Sequence, residues 1–211
     1  MPRTNAKNFF TEEERKRIEE AVNAVEKRTS GEIVPMVVDA SYEYPRAEIL
    51  GAGFFSLASA VFLTWLLGGE SIWVFLPLFF LFYFPFKLMI RRFPALRRRL
   101  IHPAEIDVEV EEKALVSFLE RGLHRTRDET GILILISLFE HRVFVLADRG
   151  INAVVPTETW DEIVHTVTEG IRSGRTCEAL CAAIGRCGEL LEGHFPVREG
   201  HTDELPNLIL D

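Results

Sequence analysis

The sequence predicts an α/β fold: a small mixed sheet with helices on both faces (an α/β/α sandwich), interrupted by a transmembrane helical hairpin. Three observations carry this. Segments with helical apolar spacing alternate with short β-branched runs at both ends of the chain. Two long apolar stretches, Ile49 to Leu67 and Ile72 to Ile90, separate those ends. Neither end has enough elements to bury both faces of a sheet, so the two must complete one domain across the insertion.

The first helix opens at Thr11-Glu12-Glu13-Glu14, a capping box in which Thr11 and Glu14 satisfy each other's free amides. Ile18, Ala21, Val22 and Val25 follow at helical spacing. Thr29-Ser30-Gly31 stops the helix, with Gly31 suited to a left-handed cap. Glu32 to Asp39 then reads as a strand. Pro35 cannot donate to a ladder, which favours an edge or a bulge.

Each apolar stretch is 19 residues long, and Lys87 is the only charge in either. At about 1.5 Å per residue, each spans roughly 28 Å of helix, close to the thickness of a bilayer's hydrocarbon core. A helical hairpin pairs every backbone amide internally, as lipid requires. Core helices of water-soluble proteins keep a polar stripe, whereas Phe54, Phe55, Leu57, Phe62, Leu63, Trp65 and Leu66 cover every side of the first stretch. The stretches are internal, and no cleaved presequence is visible at Met1. Pro77 and Pro85 predict kinks in the second. Lys87, Arg91, Arg92, Arg97, Arg98 and Arg99 crowd its far end, against Glu70 alone in the turn between the two. Basic flanks stay on the cytoplasmic side, so both termini are expected there, in a two-span inner or plasma membrane protein. The same six residues are expected to lie against anionic headgroups.

After the hairpin, Ile106 to Arg125 reads as a helix, Ile132 to Leu138 as a strand buried on both faces, and Arg142 to Ala147 as a third strand. Thr159-Trp160-Asp161-Glu162 is a second capping box, opening a helix with Ile163, Val167 and Ile171 inward. Ser173-Gly174 breaks it, and a last helix runs from about Cys177 to Leu191. The resulting divisions are 1–48, the hairpin 49–90, a basic linker 91–103, the second part 104–195 and a Pro-bearing tail 196–211.

Net charge narrows the partners. The chain carries 24 basic and 32 acidic residues, and without the six beside the membrane only 18 basic ones remain. Such a surface does not bind nucleic acid, which needs Lys and Arg for its phosphates; cations or basic partners suit it. Cys177, Cys181 and Cys187 are odd in number and closely spaced, giving no disulfide framework.

Helix, Thr-Ser-Gly-Glu, strand at 29–32 is echoed by helix, Glu-Thr-Gly, strand at 129–131. If the first two strands are parallel and the third runs back, Glu32, Asp128, Glu129 and Asp148 meet at one edge of the sheet. The hairpin leaves from the other edge, so this acidic edge is expected to point away from the membrane. The four acids are the candidate ligands for a hard cation, Ca²⁺ or Mg²⁺; capping or solvated carboxylates are the alternative reading. Asp148 is also the one candidate nucleophile or base, with Arg127 and Arg149 near enough in sequence to hold an anion. No Asp-x-Asp pair follows a strand, and neither a phosphate-cradling glycine loop nor a Cys-x5-Arg motif occurs, so the sequence assigns no catalytic residue. Cys177 and Cys181 with His194 fall short of a closed four-ligand zinc site and read as core residues. His102, His124, His141 and His165 form no metal motif, and Trp160 reads as a core anchor.

The motifs Phe10-Thr11-Glu12-Glu13-Glu14 with Ile18-Glu19, Lys27 to Val34, Thr126 to Leu133, Ser137, Val145 to Ile151 and Trp160 resemble the TPM domain family. The resemblance implies an α/β sandwich. It implies roles in repairing membrane complexes or assisting receptors, divalent-cation binding, and a weak acid phosphatase activity. The chain departs from many members in carrying its hairpin inside the domain. The expected function is a membrane-anchored, non-enzymatic interaction, assembly or regulatory module for a membrane complex, with a membrane protein as partner; a weak metal-dependent phosphatase is the alternative.

Overall fold

The computed structural model describes residues 5–67, 71–126, 129–196 and 205–211. The chain forms two compact units, one made of residues 1–41 and 107–211, the other of residues 42–106. In order, the elements are α1 (Glu12–Glu26), β1 (Glu32–Val38), α2 (Pro45–Leu66), α3 (Ile72–Arg92), α4 (Pro94–Arg99) and α5 (Pro103–Glu120). Then come β2 (Gly131–Ser137), β3 (Arg142–Ala147), α6 (Arg149–Asn152), α7 (Thr157–Arg172), α8 (Thr176–His194) and β4 (Ile209–Leu210).

The first unit is built on a four-stranded sheet of order β3-β2-β1-β4. β1 and β2 are parallel, with Glu32 opposite Gly131, and β3 returns antiparallel to β2 with Ala147 opposite Ile132. The mixed sheet expected from the sequence is therefore the one observed. Every residue of β1 and β2 is buried, which is why both read as continuous apolar runs.

Side chains alternate across the sheet, and the two faces are covered differently. Ile33, Val37, Ile132, Ile134 and Ile136 share one core with Ile18 and Val22 of α1, Ile163 and Val167 of α7, and Leu180 and Ile184 of α8. Val34, Met36, Leu133 and Leu135 are buried on the opposite face. Arg142, paired with Ser137, shares that second face, and its Nε reaches Asp107 Oδ1 on α5 at 2.7 Å. This contact ties the start of α5 to the end of β3, and Val110, Ala114 and Phe118 of α5 are buried.

Pro35 lies in an inner strand rather than at an edge. The Glu32 amide points toward β2, donating to the Thr130 carbonyl, so amides at odd positions of β1 point the other way. β4 pairs only with Met36 and Val37, so Pro35 faces the stretch of β1 that β4 does not reach. A missing donor costs nothing there. The neighbouring Ile33 amide, on the same side, donates to Glu26 Oε1 at 3.4 Å.

Several local expectations are corrected. The capping box at Thr11 forms as expected, with Thr11 N donating to Glu14 Oε2 at 2.7 Å. The one expected at Thr159 does not: α7 starts at Thr157 behind Pro156, with no side-chain cap. Pro156, with φ −62°, already holds the backbone that opens the helix. Gly31 is not in the left-handed region, which among the described glycines holds only Gly122 and Gly174. A Cβ at Gly31 would instead sit 2.6 Å from Leu191 Cδ1, so glycine is needed there for close approach of α8. The end of the tail is a strand, β4, and the amide of Asp211 just after it donates to the Val37 carbonyl at 2.9 Å.

In the second unit, α2 and α3 pack against each other as a hairpin. α2 buries Ala52, Ser56 and Ala60, small residues four apart that let backbones approach closely. Its outward side chains, with those of α3, stay exposed, Trp65 at 74% and Trp73 at 80%. Both helices are long and apolar enough to cross a membrane, and along α3 only Ile90, near its end, is buried. Arg97 departs from the expected headgroup-facing cluster: its Nη1 lies 3.3 Å from Glu48 Oε1, with both side chains mostly covered.

Candidate functional site

Strand direction brings the two echoed turns together. The Glu32 amide donates to the Thr130 carbonyl at 3.1 Å, and the Thr130 hydroxyl donates to the Ser30 carbonyl, also at 3.1 Å. Thr29 Oγ1 donates to the Phe195 carbonyl at 2.7 Å and accepts from the Gly31 amide, locking the end of α8 against the first turn. Thr29 and Thr130 are fully buried, so these bonds are made away from water.

The third strand arrives at the same edge. Asp148 N donates to the Gly131 carbonyl at 2.9 Å, and Gly150 N donates to the Glu129 carbonyl at 3.1 Å. Glu129 has φ +54°, a left-handed conformation that is costly for a residue with a side chain. Thr126 supports it by accepting from the Glu129 amide with its carbonyl and from the Thr130 amide with its hydroxyl. Asp148 Oδ1 accepts from the Arg149 amide at 2.7 Å and caps the short α6. Its other oxygen, Oδ2, is buried with no hydrogen-bond partner among the described residues.

Glu32, Glu129 and Asp148 thus sit at one edge, but in different settings. Glu32 is only 2% exposed, Glu129 is open to solvent, and Asp148 lies between. Asp128 and Arg127 lie outside the described residues. Among the described residues, no three His, Cys, Asp or Glu side chains gather as a metal-ligand set. Calcium takes six to eight oxygens, so these acids alone do not make a calcium site.

Two further residues at this edge belong to no sequence motif. Asn152 donates from Nδ2 to the Ala147 carbonyl at 2.7 Å and accepts from Trp160 Nε1 at 3.1 Å. Trp160 is therefore a core anchor whose polar end fixes the loop after Asp148. Glu26, buried at the end of α1, supplies the acceptor for Ile33 described above.

The opposite edge holds a second polar cluster, whose members stand in no recognisable sequence motif. Glu140 is 1% exposed and accepts from the Ser41 amide at 3.0 Å and from the Ser137 hydroxyl. Ser41 Oγ donates to Ser137 Oγ at 3.0 Å. This clamp fixes the chain where it leaves β1, just before the second unit begins.

The cysteines behave as core. Cys177 Sγ donates to the Glu14 carbonyl at 3.7 Å and Cys181 Sγ to the Arg17 carbonyl at 3.8 Å, stitching α8 to α1. Burial raises all three thiols, Cys181 to about 11 and Cys187 to about 12.

A mixed-sheet α/β sandwich with an acidic edge, split in sequence by an apolar helical hairpin, is the class of protein these observations define. Residues 101–190 match the model of the TPM domain family. The match begins after the hairpin, while the sheet shows that β1, before it, completes the same unit. Among solved structures, the chain is similar to the NMR structure of the BA42 protein from the psychrophilic bacterium Bizionia argentinensis. The two share 22% identity and a TM-score of 0.58, over 96% of this chain and 94% of the other. At that identity the likeness concerns the fold. No curated protein matches the chain.

Proposed function

We propose that this chain is a membrane-anchored TPM module that acts without catalysis, as an interaction, assembly or regulatory unit for a membrane complex. The observation that supports it best is the hairpin. α2 and α3 expose Phe54, Trp65, Trp73, Phe80 and Phe84, all more than half accessible. Lipid is the solvent that suits such surfaces. In this reading Arg91, Arg92 and Arg99, which are exposed, keep their side of the hairpin cytoplasmic and meet anionic headgroups. Arg97 holds the base of the hairpin through Glu48.

The acidic edge supports a binding role more than a reaction. Asp148 spends one carboxylate oxygen on capping α6, and the nearest turns are occupied in holding strands together. A divalent cation held through Asp148 Oδ2 belongs to this proposal as an accessory ligand, with no step of chemistry assigned to it.

The experiment is a photo-crosslinking scan in native membranes, with the reactive group placed in turn at exposed Glu19, Glu129, His165 and Glu189. The module reading expects discrete adducts with a membrane protein from a contiguous subset of positions. In parallel, the purified chain should leave an aryl phosphate intact with or without Mg²⁺. Turnover that disappears in Asp148→Ala would replace this reading with a phosphatase.

A further inference from the structure

α5 is apolar on two opposite sides. Its inward stripe, Val110, Ala114, Ser117 and Phe118, is buried. At 100° per residue, Val108, Leu115 and Leu119 fall within about 40° of one another on the far side. They are exposed at 60%, 50% and 49%, and Val116 beside them at 40%. A helix that only covers a sheet has no use for a second apolar stripe, and its outer side is normally polar. Here the outer side is a seam with i, i+7, i+11 spacing, the register by which one helix receives another.

The flanks of that seam select its occupant. Glu109, Glu111, Glu112 and Glu120 border it, against Lys113 alone, and Glu111, Glu112 and Glu120 are exposed. A second copy would bring the same carboxylates against these, and an anionic lipid surface would repel them. A helix with an apolar face and Lys or Arg beside it is complementary. α5 also follows the basic segment 93–102 directly in sequence. On the reading proposed above, its neighbours are the cytoplasmic flanks of other membrane proteins, which carry excess Lys and Arg.

We infer that the outer stripe of α5, Val108, Leu115 and Leu119 with its glutamate flanks, is the docking surface for a cationic amphipathic helix beside a membrane span of a partner protein. The inference rests on the module reading and names the surface through which the module works. Its affinity should fall with added salt, because the flanking charges are exposed and screened.

The test uses the full chain in nanodiscs of zwitterionic lipid, titrated with a labelled Leu/Lys amphipathic helical peptide and, separately, with a Leu/Glu peptide of the same pattern. The Leu/Lys peptide should bind saturably and the Leu/Glu peptide should not. Val108→Ser, Leu115→Ser and Leu119→Ser together should weaken binding roughly tenfold or more, since each removes apolar contact. Glu111→Gln, Glu112→Gln and Glu120→Gln together should weaken it and flatten its salt dependence. All six positions are exposed, so an unchanged melting temperature will show that the fold survives. Unaltered binding by the serine variant, equal binding of the Leu/Glu peptide, or self-association through the stripe would overturn the inference. If the peptide fails while the crosslinking scan still yields membrane-protein adducts, the module reading stands and this surface is wrong.

Discussion

The Thr130 hydroxyl donates to the Ser30 carbonyl at 3.1 Å, across a sequence gap that contains the entire hairpin. With the reciprocal bond from the Glu32 amide to the Thr130 carbonyl, it joins the turns that start β1 and β2. The two parts of the split domain are thus held by a polar contact as well as by the ladder. Both groups are shielded from water, so neither has a ready replacement partner.

Replacing Thr130 by Val should therefore destabilise the chain by about 1–3 kcal/mol, the cost of stranding a buried carbonyl. Thr130→Ser keeps the donor and should recover most of it. A lowered urea midpoint for Val but not for Ser checks this.

Gly31 and Gly131 occupy matching turns but fail differently. A Cβ at Gly31 meets the Leu191 methyls, which can shift, whereas a Cβ at Gly131 lies 2.7 Å from the Leu123 carbonyl oxygen. Gly131→Ala should cost more, toward the upper part of the roughly 1–3 kcal/mol range for overpacking. Equal urea midpoints for the two alanine variants would contradict this ordering.

The thiols predict slow alkylation. Cys181 is raised from 9.0 to about 11 by burial, and the thiolate is the reactive form. Below pH 9, iodoacetamide should modify Cys181 about a hundredfold more slowly in the folded chain than in urea. The rate should climb as pH rises toward 11. Fast labelling near neutral pH would show a thiolate pair, and the core reading of Cys177 and Cys181 would fall.

The acidic edge makes a cation prediction. If a divalent ion binds through Asp148, millimolar Ca²⁺ or Mg²⁺ should stabilise the chain against chelator, by roughly 2.7 kcal/mol at a hundred times Kd. Asp148→Asn should abolish the shift. Melting curves that coincide in ion and chelator would leave Asp148 as a helix cap only.

Much of this architecture is legible in the residues, for physical reasons. β1 and β2 are buried on both faces, so their apolar runs stand out, and strand direction alone brings Glu32, Glu129 and Asp148 to one edge. β4 is two residues long, too short for any periodicity, and it exists because β1 offers it an open ladder. Spacing could not tell that Glu32 is enclosed while Glu129 is open, because that depends on what packs above each. Sequence alone does not separate the two reasons for glycine at 31, since close approach by Leu191 and a left-handed turn both call for one. Arg97 and Glu48 are far apart in sequence, and only the fold of the hairpin base pairs them.

Alkaline extraction of membranes tests most directly whether a TPM-like unit is split in sequence by a membrane hairpin, as proposed. The full chain should stay with the lipid after the wash. A chain in which Ser41 is joined to Asp107 by a Gly/Ser linker should be released and still melt cooperatively, while residues 107–211 alone, lacking β1, should not fold. A full chain that washes off the membrane, or a fragment 107–211 that melts cooperatively without β1, would contradict the account.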